Sequence, residues 1–205
     1  MNRWDLINRI AVRIGARSYL EIGVQAGHAF ERVEVDRRVG VDPDPRSAAT
    51  IHTTSDAYFA SLDESDSAER FDLVFVDGLH HRDQVARDVR NSLRYLSAGG
   101  AVVVHDCDPP SERAGGRAMC SGVWCGDVWK GWIDLRRTLD REAFVVDTDL
   151  GCGVILEGEP TPPSCAHDPE WAEFAADRSG WLRLVSVEEA VERIDRLSLV
   201  GGSDA

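Results

Sequence analysis

Asp77, His80, His105 and Asp106 stand at the ends of two short apolar runs, and their types suit proton transfer or cation binding. An imidazole exchanges a proton near neutral pH, and carboxylate oxygens are the ligands that hard divalent cations prefer. His81, Cys107 and Asp108 adjoin them. Taken alone, the residues are compatible with hydrolysis, with metal storage, or with simple capping of a helix by Asp77.

The stretch that must position them runs over residues 71–108. Its apolar runs, 73–76 and 101–104, are short and β-branched, so they read as buried strands. Between them Val85, Val89 and Leu93 recur at four-residue spacing, a helical period, which Gly99 and Gly100 should stop. The unit is β-α-β with parallel strands. In open α/β sheets, ligands bind beyond the carboxyl ends of the strands, and both polar clusters lie at such ends.

Upstream, residues 18–27 form a β run entering a turn with Gly23 and Gly27, and a helix is expected over 28–35 with Phe30 and Val33 inward. A second strand over 38–41 ends at Asp42, and Pro43 forbids helix immediately after it. The glycines let backbone approach a ligand, and an acid after the second strand can accept bonds from a ribose diol. This is a nucleoside-binding half-fold. A dinucleotide site would prefer GxGxxG, whereas the pattern here is Glu21-x-Gly23-x-x-x-Gly27. A carboxylate beside the turn repels pyrophosphate and suits a cationic amino group, which favours S-adenosylmethionine over NAD.

On these residues the chain resembles the class I S-adenosylmethionine-dependent methyltransferases over residues 19–156. The resemblance implies that Glu21, Gly23 and Gly27 line the methionine and ribose region, that Asp42 binds the ribose hydroxyls, and that Ser55 and Asp56 lie where the family contacts adenine. It also implies a Rossmann-like, mostly parallel seven-stranded sheet in the order 3-2-1-4-5-7-6, with helices on both faces and a terminal antiparallel hairpin. Residues 71–108 further resemble small-molecule O-methyltransferases of the macrocin and mycinamicin type and, more distantly, catechol O-methyltransferases. In that resemblance Asp77-Gly-Leu-His80 supplies the general base, His80. Asp77, which also borders the cofactor, would hold a divalent cation such as magnesium together with Asp106 and His105. The chain departs from both patterns at His105-Asp106-Cys107, and a nitrogen ligand favours manganese, iron or zinc over magnesium.

The rest of the chain is in keeping with one domain over residues 1–205, its core at 19–156 and a linker with helices at 158–205. Residues 2–14 carry an apolar stripe of Leu6, Ile7, Ile10 and Ile14 that Gly15 should stop. Strands at 143–147 and 152–156, linked by four residues, should pair antiparallel. Trp129 and Trp132 lie on a helix expected over 127–139, after a loop with no legible pattern. Extended chain is expected over 181–185, and the tail 201–205 should be disordered. A net charge of −13 disfavours nucleic acid and anionic membranes as partners. No secretory signal or spanning run is visible, so a cytoplasmic chain with reduced cysteines is expected. The expected function is methyl transfer to a small-molecule hydroxyl, with a homo-oligomer compatible with the chain. A nicotinamide-dependent oxidoreductase and a non-catalytic S-adenosylmethionine-binding protein are the alternatives.

Overall fold

In the computed structural model, residues 1–65, 68–164 and 166–199 are described; the tail at 201–205 lies outside them. Helix α1 (Arg3–Ile14) opens with a reciprocal cap between Asn2 and Asp5 and closes on Gly15 at φ 66°. Its stripe of Leu6, Ile7, Ile10 and Ile14 is fully buried, each side chain contributing about 1.5–3 kcal/mol by removal from water. Strands β1 (Ser18–Ile22) and β2 (Arg37–Val41) follow, then α2 (Ser55–Glu64) and β3 (Phe71–Val76). Helix α3 (Arg82–Arg94) leads to β4 (Leu96–Val104), and α4 (Val128–Thr138) to the hairpin β5 (Glu142–Val146) and β6 (Cys152–Leu156). Helices α5 (Trp171–Ala176) and α6 (Arg178–Leu182), strand β7 (Leu184–Val185) and α7 (Val187–Ile194) complete the described chain.

The seven strands form one sheet in the order β2-β1-β3-β4-β6-β5-β7. β2, β1, β3 and β4 run parallel, while β6 is antiparallel to both β4 and β5. This reproduces the run 2-1-4-5-7-6 of the expected order. At the place of the expected third strand stands a single parallel bridge, Val41 to Ile51, and β7 extends the opposite edge beside β5. One face of the sheet packs against α2, α3, α4 and the α5–α6 segment. The other packs against α1, the 24–35 turn and α7. Both faces of the strands are therefore apolar, the condition under which parallel strands are stable. No helix among the described residues is long and apolar enough to cross a membrane.

Three expectations need correction. Residues 28–35 form turns rather than a helix, held by Glu31 N–H to the Gly27 carbonyl and Val33 N–H to the Ala29 carbonyl. Phe30 and Val33 still pack inward. Gly99 and Gly100 do not stop α3, which ends at Arg94; they sit inside β4, where the register with β3 shifts. Residues 181 and 182 close a helix instead of opening a strand, because Asp177 caps α6 through the Gly180 N–H.

Candidate active site

The register of the parallel strands builds the site. Ile22 pairs with Val76, Val76 with Val104, and Ile22 with Val41, so the last residues of four strands are level. The residues that follow, Gly23, Asp42, Asp77 and His105, therefore line one edge. β6 enters antiparallel at Cys152, one residue before Gly153 pairs with Val104, which brings the β5–β6 turn with Asp149 to the same edge.

Gly23 is where β1 and β3 touch. It stands at φ +87°, and a Cβ there would lie 2.1 Å from the Asp77 carbonyl oxygen, so only glycine fits. Asp42 accepts from the Gln25 N–H at 2.9 Å and from the Asp44 N–H at 2.8 Å, tying the glycine turn to the end of β2. Beyond these residues opens a cavity of about 480 Å³ whose lining includes Gly23, Asp42, Ser55, Asp56, Asp77 and Gln84. Its size is that of a small-molecule site. Gln84 is an addition to the sequence reading. Its amide donates to Ser55 Oγ, Asp56 Oδ1 and Asp88 Oδ1 within 3.0–3.2 Å, joining the starts of α2 and α3.

Glu21 and Gly27 stand apart from that lining. Glu21 lies on the opposite face of β1, buried, with the Tyr19 hydroxyl donating to its Oε2 at 2.5 Å. Burial pushes its carboxyl up to about 8, against the lowering effect of the Tyr19 bond. Gly27, at φ +79°, lets the turn close against Ala48.

The acid and imidazole groups meet in one cluster. Asp77 Oδ1 lies 3.2 Å from His105 Nδ1 and 3.4 Å from His80 Nε2, while Asp77 Oδ2 accepts from Arg3 Nη1 at 3.0 Å. His80 Nδ1 lies 3.1 Å from Asp106 Oδ2 and 3.2 Å from the Trp124 carbonyl. Asp106 holds a left-handed backbone at φ 62°, a conformation that aspartate tolerates better than most residues, and it turns its carboxylate into the cluster. Asp77 does not cap α3, whose N-cap position is His81. Burial raises the Asp77 carboxyl, but His105 and His80 outweigh it and hold it well below the usual carboxylate range. Burial lowers both imidazoles, and the aspartates reverse this, raising His80 and His105 above the ordinary histidine value.

The loop before α4 covers this cluster. Trp124 stacks on His80 at 5.1 Å between ring centroids, and a Cβ on Gly126 would fall 1.8 Å from the His80 carbonyl oxygen. Asp127 Oδ1 accepts from the Arg82 N–H at 2.7 Å. Trp129 and Trp132 are core, as their helical setting predicts.

Asp77, His80 and Asp106 each offer a ligand atom, all within 4.8 Å of one another. Asp106 Oδ1 is buried without a hydrogen bond, and His105 Nδ1 lies 3.3 Å from it. His105 is not in that set; its Nε2 is 2.8 Å from the Asp149 carbonyl and its Nδ1 faces Asp77 and Arg3.

A protein-family model described as a methyltransferase domain matches residues 20–107. No curated protein matches the chain. Among solved structures, a putative caffeoyl-CoA O-methyltransferase from Staphylococcus aureus superposes with a TM-score of 0.58 at 13% identity, covering 76% of this chain and 82% of that one. A methyltransferase from Podospora anserina bound to SAH gives 0.53 at 18% identity, covering 77% and 78%. An O-methyltransferase from Bacillus cereus, in complex with SAH, gives 0.51 at 15% identity, covering 74% and 80%. At such identities the likeness speaks for the fold.

Proposed function

We propose that this chain, whose residues 20–107 match a methyltransferase-domain family model and whose fold resembles that of solved methyltransferases, uses S-adenosylmethionine to methylate the hydroxyl of a small-molecule acceptor. The observation that carries the acceptor side is the position of His80. It contacts Asp77, which also lines the cofactor-sized cavity, so a base and the cavity share one residue.

In this reading Asp42 takes the ribose hydroxyls, Ser55 and Asp56 face the adenine edge with Gln84, and Asp77 borders the methionine portion. Gly23 and Gly27 shape the turn, with Glu21 behind it. The acceptor oxygen approaches the sulfonium methyl in line, the O–C bond forms as the C–S bond breaks, and the hydroxyl proton passes to His80. S-adenosylhomocysteine leaves as a neutral thioether. Asp106 and the Trp124 carbonyl hold Nδ1 of His80, which orients the ring. Asp77 and Asp106 are the carboxylates that a divalent cation would meet here, and Arg3 already pairs with Asp77.

His80→Ala tests the assignment. Turnover in an acceptor screen should fall about 10²–10⁴-fold, the range for loss of a positioned base, while the affinity for S-adenosylmethionine by calorimetry stays within about twofold, since His80 is not among the cavity's lining residues. Loss of cofactor binding in the variant would mean that His80 is structural and that the proton goes elsewhere.

A further inference from the structure

The acidic cluster already contains a permanent cation. Arg3, from the first turn of α1, places Nη1 3.0 Å from Asp77 Oδ2 and 3.2 Å from His105 Nδ1. Its Nε donates to Asp149 Oδ2 at 2.9 Å, and its backbone N–H to the same oxygen at 3.0 Å. Asp149 is held in turn: it and Leu150 are both left-handed, at φ 47° and 64°, and its carbonyl meets His105 Nε2. The start of α1, the end of β3 and the β5–β6 turn thus converge on one guanidinium.

A guanidinium keeps its charge at every working pH. With Asp77 Oδ2 paired to Arg3 and Oδ1 facing two imidazoles, both oxygens of this carboxylate are engaged. A divalent ion on Asp77 would have to sit beside the guanidinium, and like charges at such distances repel. We propose that Arg3 is a positioning residue that supplies at Asp77 the positive charge a divalent cation would otherwise supply, so that methyl transfer here proceeds without a bound metal. This rests on the methyltransferase reading above. It adds no chemical step: Arg3 pairs with Asp77 Oδ2 and leaves Oδ1 toward His80 and His105.

Manganese is the probe, because its binding is read by electron paramagnetic resonance whether or not an acceptor is known. The wild type and Arg3→Lys should bind manganese weakly, and wild-type methyl transfer should be unchanged by EDTA. Arg3→Gln, which removes the charge and keeps hydrogen-bonding capacity, should bind manganese at least about tenfold more tightly. Thermal melting of each variant reports whether the fold is intact. Stoichiometric, tight manganese on the wild type, or equal affinity in the wild type and a folded Arg3→Gln, would overturn the proposal. If no acceptor is ever methylated, the functional reading fails, while the manganese titration still decides the role of Arg3.

Discussion

At the scale of single residues, ionisation states are decided by what each group is buried against. Asp77 and Glu21 both lie near the carboxyl ends of their strands, yet Asp77, which lines the cavity, is held low by two imidazoles, and Glu21, on the far face of β1, is pushed up to about 8 by burial. A raised Glu21 has a consequence for stability with a definite sign. Below the ordinary value of 4.5 the carboxyl is neutral in both the folded and unfolded chain. Between there and about 8 it ionises only when unfolded, so folding free energy declines as pH rises and levels off above about 8. Asp88, raised by burial to about 6, acts in the same direction. Glu21→Gln keeps an acceptor for the Tyr19 hydroxyl and should flatten the decline between pH 5 and 8 in urea titrations. An unchanged slope would mean that Glu21 is ionised in the folded state. The residue types Asp77, His80, Asp42 and the glycines could be read from sequence because each sits where an apolar run stops. Arg3 and Asp149 could not, since 146 residues separate them and neither lies in a local pattern.

At the scale of elements, the glycine turn after β1 sets how close the strands come. Gly23→Ala would force an L residue into φ +87° and drive a methyl into the Asp77 carbonyl. Left-handed strain alone costs of order 1–3 kcal/mol, and the backbone contact adds to it. Chemical denaturation should show a loss of about 3 kcal/mol or more. Cofactor affinity should fall in the same variant, because Asp77 moves with β3. Wild-type stability in this variant would mean that the turn can relax away from β3. The elements with the cleanest periodicity, α1 and the β5–β6 hairpin, appear where their patterns place them, and α3 covers Val85, Val89 and Leu93 but ends at Arg94, ahead of the glycines. Residues 28–35, expected to be helical, form turns instead, with Phe30 and Val33 still buried. The segment before α4 had no legible pattern, and its contacts explain why. Gly126, Trp124 and Asp127 each meet residues 80–82 of a distant segment, beside the bonds of Trp124 to Gly116 and of Asp127 to Arg117 within their own.

At the scale of the whole molecule, the sheet is a single body with apolar helices on both faces and its chemistry along one edge. A ligand that binds the folded edge and not the unfolded chain stabilises the entire domain by mass action. S-adenosylhomocysteine at about one hundred times its dissociation constant should add about 2.7 kcal/mol, seen as a rise in melting temperature, whereas NAD at the same concentration should leave it unchanged. A rise with NAD alone would favour the oxidoreductase reading. The sequence by itself determined the architecture class and that Gly23, Asp42 and Asp77 follow strand ends, because burial on both faces and the end of each apolar run are recorded in residue order. Only the tertiary structure decided which groups share the acidic cluster. Strand register levels Asp77 with His105, the antiparallel return of β6 carries Asp149 to the same edge, and the docking of α1 delivers Arg3. Those are contacts between segments far apart in the chain, and no spacing along it encodes their distance in space.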